Sequence, residues 1–177
     1  MLRKILFYGL IAGLIVGIPL SALVVTMNGH EMHYGMLIGY TTMLIALSTV
    51  FIAIKQHRDN DLGGVIGFWP ALGLGLGISF VASLIYVAVW ETTVALMHLD
   101  FASGYAKSMI AQKKASGVMG PALAKFTAEM EQFKVQYANP LYRLPMTFIE
   151  IFPVGVLVSL ASAGMLRFSN VLPARRG

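Results

Sequence analysis

Four apolar runs, Ile5–Met27, Gly35–Ile54, Pro70–Trp90 and Pro145–Leu166, alternate with polar stretches of very unequal length. Each run reaches the roughly 20 residues that a helix needs to cross a hydrocarbon core about 30 Å thick. None contains an internal Lys or Arg. The pattern therefore predicts four transmembrane helices, the form in which a chain satisfies its own backbone groups in lipid. Trp69 and Trp90 bracket the third run, about 30 Å apart at the helical rise. Tryptophan collects at both membrane–water interfaces, so the pair reads as a gauge of the two surfaces.

The connections differ sharply. Asn28–Tyr34 reads as a short polar turn, and Lys55–Gly64 (KQHRDNDLGG) as a charged loop closed by a flexible glycine pair. Residues 99–139 form a helical extramembrane insertion. Phe101, Tyr105 and Met109 recur at every fourth position, and a break at Gly117-Val118-Met119-Gly120 follows. Pro121 then opens a second helix, in which Leu123, Phe126, Met130, Phe133 and Tyr137 alternate steps of three and four. Asn139-Pro140 ends it. The stripe is expected to pack on its sister helix or lie at the bilayer surface, with two heptads too short to define a coiled coil.

Composition excludes a soluble domain. Of 177 residues, 57% are hydrophobic and only 12% charged, with a mean hydropathy of +0.74. The net charge of +5 lies mostly beside the apolar runs, so it points to membrane orientation and anionic lipid and not to nucleic acid. The absence of cysteine removes disulfides, iron–sulfur clusters and thiol catalysis. The first run follows Arg3-Lys4 as a signal peptide would, but it is too long for a cleaved apolar core and reads as a retained span.

Charge also sets the expected topology. Arg3 and Lys4 precede the first span, Lys55 and Arg58 follow the second, and the turn between has no Lys or Arg. The positive-inside rule then places both termini in the cytoplasm, in a bacterial inner membrane, with the 99–139 insertion outside. Seven basic residues fall inside against six outside, so the asymmetry of the first hairpin decides the orientation.

Small residues four apart occur in every span: Gly9, Gly13 and Gly17; Gly35 and Gly39; Gly73 and Gly77; Gly155, Ser159 and Ala163. Lipid gives no net hydrophobic drive between helices, so such ridges are where backbones approach. The fold expected is an all-α, antiparallel bundle of four transmembrane helices with a two-helix insertion between spans three and four.

Lys55, Arg58-Asp59-Asn60, Gly63-Gly64, Phe68, Ala71-Leu72, Gly75, Tyr86 and Trp90 resemble the bacterial four-span family catalogued as domain of unknown function 4199. Glu150-x-Phe152-Pro153-Val154-Gly155 is similar to its last-span signature. The resemblance covers spans two to four well and the insertion poorly, and it brings no catalytic or binding residues.

Glu91 and Glu150 are the main candidates for chemistry, because an ionisable group within a bilayer is costly and usually functional. The tryptophan gauge puts Glu91 at the outer interface. Glu150, five residues after Pro145, is expected at a similar depth on the antiparallel span. Pro153 frees the carbonyl of Ile149 beside it, and Tyr86, Trp90, His98 and Asp100 complete a candidate outward-facing polar site for a cation, a protonated ligand or a basic partner residue. The simpler reading is two interfacial carboxylates, hydrated or paired with Arg143 or a lysine. His30-Glu31-Met32-His33 lacks the spacing of the zinc-binding HExxH helix. Lys55, Arg58, Asp59, Asn60, Gly63 and Gly64 form a candidate cytoplasmic contact loop, though topology and turn formation nearly account for them.

No nucleotide loop, nucleophile–base pair or cofactor motif is present in the sequence, and a lipid-modifying enzyme has only interfacial carboxylates in its favour. The leading expectation is a non-enzymatic membrane protein acting through self-association or an envelope partner. The alternative is a small transporter or ligand-binding protein using Glu91 and Glu150, with glycine-lined spans sliding about Pro153. Membrane lipid is expected as a partner in either case.

Overall fold

The computed structural model describes residues 1–27, 35–168 and 172. Six α-helices follow one another: α1 (Leu2–Met27), α2 (Gly35–Gln56), α3 (Phe68–Met97), α4 (Phe101–Ala115), α5 (Gly120–Tyr137) and α6 (Pro140–Leu166). α1, α2, α3 and α6 form the four-helix antiparallel bundle, and each is long and apolar enough to cross a membrane. Only 33–44% of each apolar window is buried within the chain, so most of that surface must meet lipid. The Asn28–Tyr34 turn, with His30, Glu31 and His33, lies outside the described residues.

α3 is the centre of the bundle, and α1 and α6 flank it. Its contact with α1 follows from the glycine ridge. A Cβ at Gly9 would come within 2.6 Å of Val81, one at Gly13 within 2.6 Å of Ile85, and one at Gly17 within 2.9 Å of Val89. Each is closer than carbon atoms approach, so glycine is required for β-branched side chains to lie on the α1 backbone. The α3–α6 contact uses Gly75 against Ser159 and Gly155 against Ser79. There the Ser79 and Ser159 hydroxyls lie 3.1 Å apart, while Ser159 also donates to the Gly155 carbonyl. The small-residue expectation is not uniform, however. Gly39 and Gly73 would meet nothing within 4 Å, so among the described residues neither makes a close helix contact.

Several boundaries differ from those read off the hydropathy. Span two does not end at Ile54. α2 continues through Gln56 into a π-helical turn, His57–Asp61, before Gly63 (φ 65°) and Gly64 (φ 93°) reverse the chain. The Lys55–Gly64 stretch is thus mainly helical, because its charges find partners that a free loop would leave to water. Span three continues seven residues past Trp90, to Met97, where His98 caps it in the left-handed conformation and returns its N–H to Val94. Span four begins at Pro140 and not at Pro145. Asn139 accepts from the Leu141 N–H as N-cap, and Pro140 takes the first-turn position that needs no donor.

The insertion forms the two amphipathic helices expected. Gly117 (φ 85°) and Gly120 (φ 61°) make the break, and Pro121 stands in the first turn of α5. Its aromatic stripe is spent internally: Phe101 stacks near Tyr105 and Tyr137, Tyr105 meets Phe133, and the Lys113 ammonium sits 5.4 Å from the Phe126 ring.

Packing predicts a sharp contrast between two glycines. Gly13→Val should lower stability by about 1–3 kcal/mol through overpacking, whereas Gly39→Ala should leave it unchanged. Thermal unfolding of the detergent-solubilised protein would distinguish them, and equal loss from both would refute the assigned interface.

Candidate functional site

The polar residues nearest the hairpin divide into a joint and a separate carboxylate. Glu91 faces Arg143: the guanidinium Nε and Nη2 each reach one carboxylate oxygen at 2.6 Å. The pair is partly buried, with side-chain exposures of 12% for Arg143 and 24% for Glu91. A parallel two-point bond of this kind fixes orientation as well as charge. Arg143 also donates to the Tyr137 carbonyl and lies over the Tyr137 ring. Trp90 donates its indole N–H to the Tyr137 hydroxyl at 2.9 Å and meets Phe101 edge-on. Trp90, Glu91, Phe101, Tyr137 and Arg143 therefore clamp the α4–α5 hairpin onto the bundle.

This corrects the tryptophan gauge. Trp69 is 77% exposed, as an interfacial anchor should be, but Trp90 is only 5% exposed and points under the hairpin. A ring with its N–H bonded inside the protein is held by packing and does not report the membrane surface.

Glu150 lies elsewhere. It is seven residues beyond Arg143, hence about 10 Å further into the bundle at the helical rise. The expected equality of depth with Glu91 fails because Arg143, and not Glu150, is level with Glu91. Its carboxylate accepts from the Tyr86 hydroxyl at 3.3 Å. Tyr86 is buried, at 4% exposure, while Glu150 is exposed. The carboxylate thus sits at the edge of the core, bonded inward to Tyr86. Among the described residues no cation pairs with it.

A Cβ at Gly75 would meet Ile54 at 3.2 Å, which sets α2 against α3 in register. Counting eleven residues along both antiparallel helices places Met43 level with Tyr86. Met43 is packed in the core, but Gly39, one turn nearer the hairpin end on the same face, meets nothing. Tyr86 and Glu150 thus stand level with the Met43 turn of α2.

His98 and Asp100 do not join this group. His98 caps α3, and Asp100 caps α4 by accepting the Ser103 N–H at 3.1 Å. Bonds from Ser103 hold the Asp100 carboxyl below the usual carboxylate range. Pro153 lies on the exposed side of a continuous α6. Among the described residues no three His, Asp or Glu side chains are arranged to hold a metal ion.

The candidate contact loop is also internally engaged. Arg58 is fully buried, with Nε donating to Asp59 at 2.7 Å and Nη2 to the Leu172 carbonyl at 2.5 Å. Lys55 pairs with Asp59. Asp61 receives both Lys4 and His57, and the Tyr8 hydroxyl donates to Gln56 at 2.6 Å. These bonds tie α1, α2 and Leu172 into one basic end, so Arg58 and Asp59 are unavailable for the external contact expected of them. Gly63 and Gly64 turn the chain, and the Gly64 N–H closes on the Arg58 carbonyl.

The family described as Protein of unknown function (DUF4199) matches residues 5–167. The chain belongs to this family. No curated protein and no solved structure matches it. A match of this length takes in the insertion as well as the spans, so the hairpin clamp lies within the family's domain.

Burial pushes the Tyr137 hydroxyl up to about 12, against the lowering effect of the Trp90 bond. A tyrosine held neutral above its unfolded value near 10 leaves stability intact below that pH and loses it as pH rises towards 12. Alkaline unfolding monitored by tyrosinate absorbance should show this loss, and Tyr137→Phe should remove it. Independently, Arg143→Ala and Glu91→Gln should each loosen the hairpin, with a coupling of about 1–3 kcal/mol in a double-mutant cycle. Protease sensitivity within residues 101–138 is the readout, and additive effects would refute the pair.

Proposed function

We propose that the protein is a non-enzymatic component of a bacterial inner membrane that works by association, either with itself or with another envelope protein, through the α4–α5 hairpin. The observation that carries this reading is the clamp. Glu91, Arg143, Trp90 and Tyr137 hold the hairpin in a fixed pose on the bundle. A rigidly presented extramembrane element suits recognition, since little ordering entropy is lost when it binds. Its aromatic stripe is used internally, so the contact surface is the opposite one. The hairpin is basic, with five lysines against two glutamates over residues 101–138, and it exposes Met119 at the tip and Val135 on α5.

Orientation belongs to the same proposal. Lys4, Lys55 and Arg58 gather at the basic end, which the positive-inside rule assigns to the cytoplasm, leaving the hairpin outside. A reporter fused at Gly117 should be active only as a periplasmic reporter.

Crosslinkers placed at Lys125 or Val135 in native membranes should trap one defined adduct, either a dimer or a discrete heteromer. Removing residues 101–138 should abolish it. Adducts that persist after the deletion, or a smear of unrelated products from the intact protein, would overturn the reading.

A further inference from the structure

Among the described residues of the basic end, Arg3 is the cation left without a partner. Lys4 pairs with Asp61, Lys55 and Arg58 pair with Asp59, and the Arg167 guanidinium lies over the Phe168 ring. Arg3 is exposed and makes no hydrogen bond, ion pair or ring contact with any described residue. Positive charge is in excess there, with five Lys or Arg against two Asp. Both aspartates are already engaged, so the counter-charge for Arg3 comes from outside the described chain.

Arg3 also lines a groove. Together with Leu2, Leu6, Phe7 and Leu10 it borders about 440 Å³ of open space along α1. Arg3, Leu6, Phe7 and Leu10 follow the spacing of one helix face, clear of Ile5 and Gly9, which pack on Gly77 and Val81 of α3. The four apolar side chains are exposed, so in a membrane they meet acyl chains. One wall is fixed, because Phe7 stands edge-on to Tyr8 and Tyr8 donates to Gln56. The depth is right as well. α1 and α3 run parallel, and Ile5 meets Gly77, eight residues beyond the interfacial Trp69. Arg3 therefore leaves its helix about 9 Å on the membrane side of Trp69 at the helical rise. Helical side chains lean towards the start of their helix. The guanidinium thus snorkels to the boundary of acyl chains and headgroups, where lipid phosphates lie.

We propose that this face of α1 is a binding site for one anionic phospholipid, with Arg3 on the phosphate and Leu2, Leu6, Phe7 and Leu10 against an acyl chain. A guanidinium offers a phosphate two parallel N–H bonds. A zwitterionic lipid carries its own ammonium beside the phosphate, which competes with Arg3 and adds to the positive excess. A lipid of net negative charge relieves that excess, so charge complementarity selects it. The orientation proposed above decides which leaflet supplies the lipid. The contact itself depends neither on that orientation nor on association through the hairpin.

The full-length protein in detergent would be titrated with dioleoylphosphatidylglycerol or dioleoylphosphatidylcholine, and retained lipid counted by native mass spectrometry. Detergent has no sides, so the result is separate from the question of orientation. One phosphatidylglycerol should be retained at concentrations where phosphatidylcholine is not, and soluble glycerol 3-phosphate should not displace it. Arg3→Gln should weaken phosphatidylglycerol binding at least about fivefold, the effect of one cation at a lipid surface. Arg167→Gln removes the same charge from the same end and should leave binding unchanged. Phe7→Ala keeps every charge and should also weaken binding, which decides the matter even where Arg3→Gln fails to fold. Unfolding temperature reports folding of each variant. Equal retention of the two lipids, displacement by glycerol 3-phosphate, equal losses from Arg3→Gln and Arg167→Gln, or undiminished binding by Arg3→Gln or Phe7→Ala would each overturn the proposal.

Discussion

Close approach of α1 to α3 is the contact on which the rest of the molecule is built. Three glycines on one face of α1 let Val81, Ile85 and Val89 lie against bare backbone. In lipid this matters more than it would in water, because dispersion and shape must hold helices that have no solvent to escape. Once α1 is seated, the opposite side of α3 takes α6 through Gly75, Ser79, Gly155 and Ser159. α3 is thereby held from two sides, and α2 packs against it at the basic end through Ile54 and Gly75.

Polar chemistry is distributed to match. At the basic end, acidic groups of the α2 terminus meet Lys4, Lys55 and buried Arg58. A fully buried guanidinium is tolerable only with its donors engaged, and Asp59 and the Leu172 carbonyl supply acceptors. At the hairpin end, the Glu91–Arg143 pair and the Trp90–Tyr137 bond join an extramembrane element to the spans. Glu150 belongs to neither set. Among the described residues its carboxylate accepts only from the buried Tyr86 hydroxyl.

Much of this was legible in the chain. Hydropathy located all four spans, and the three-and-four spacing of Leu123, Phe126, Met130, Phe133 and Tyr137 located α5. The glycine ridge of α1 was visible as a repeat. What sequence could not supply was the partner of each side chain. Trp90 looked like an interfacial anchor because position along a span says nothing about which way a ring turns. The Lys55–Gly64 stretch looked like a loop because its charges were weighed without Asp59 and Asp61 as internal acceptors. Pro145 looked like a helix start although Pro140, preceded by an asparagine cap, was the better signal. That single shift of five residues is what moved Glu150 away from the level of Glu91.

The bond from Arg58 to the Leu172 carbonyl gives the chain a built-in order of assembly. Arg58 is made 114 positions before its acceptor. During synthesis the guanidinium has Asp59 beside it but cannot make this second bond until α6 has been inserted and Leu172 has left the ribosome. The basic end is therefore completed only after α6 is in place, so a chain stopped before Leu172 leaves one guanidinium bond unmade.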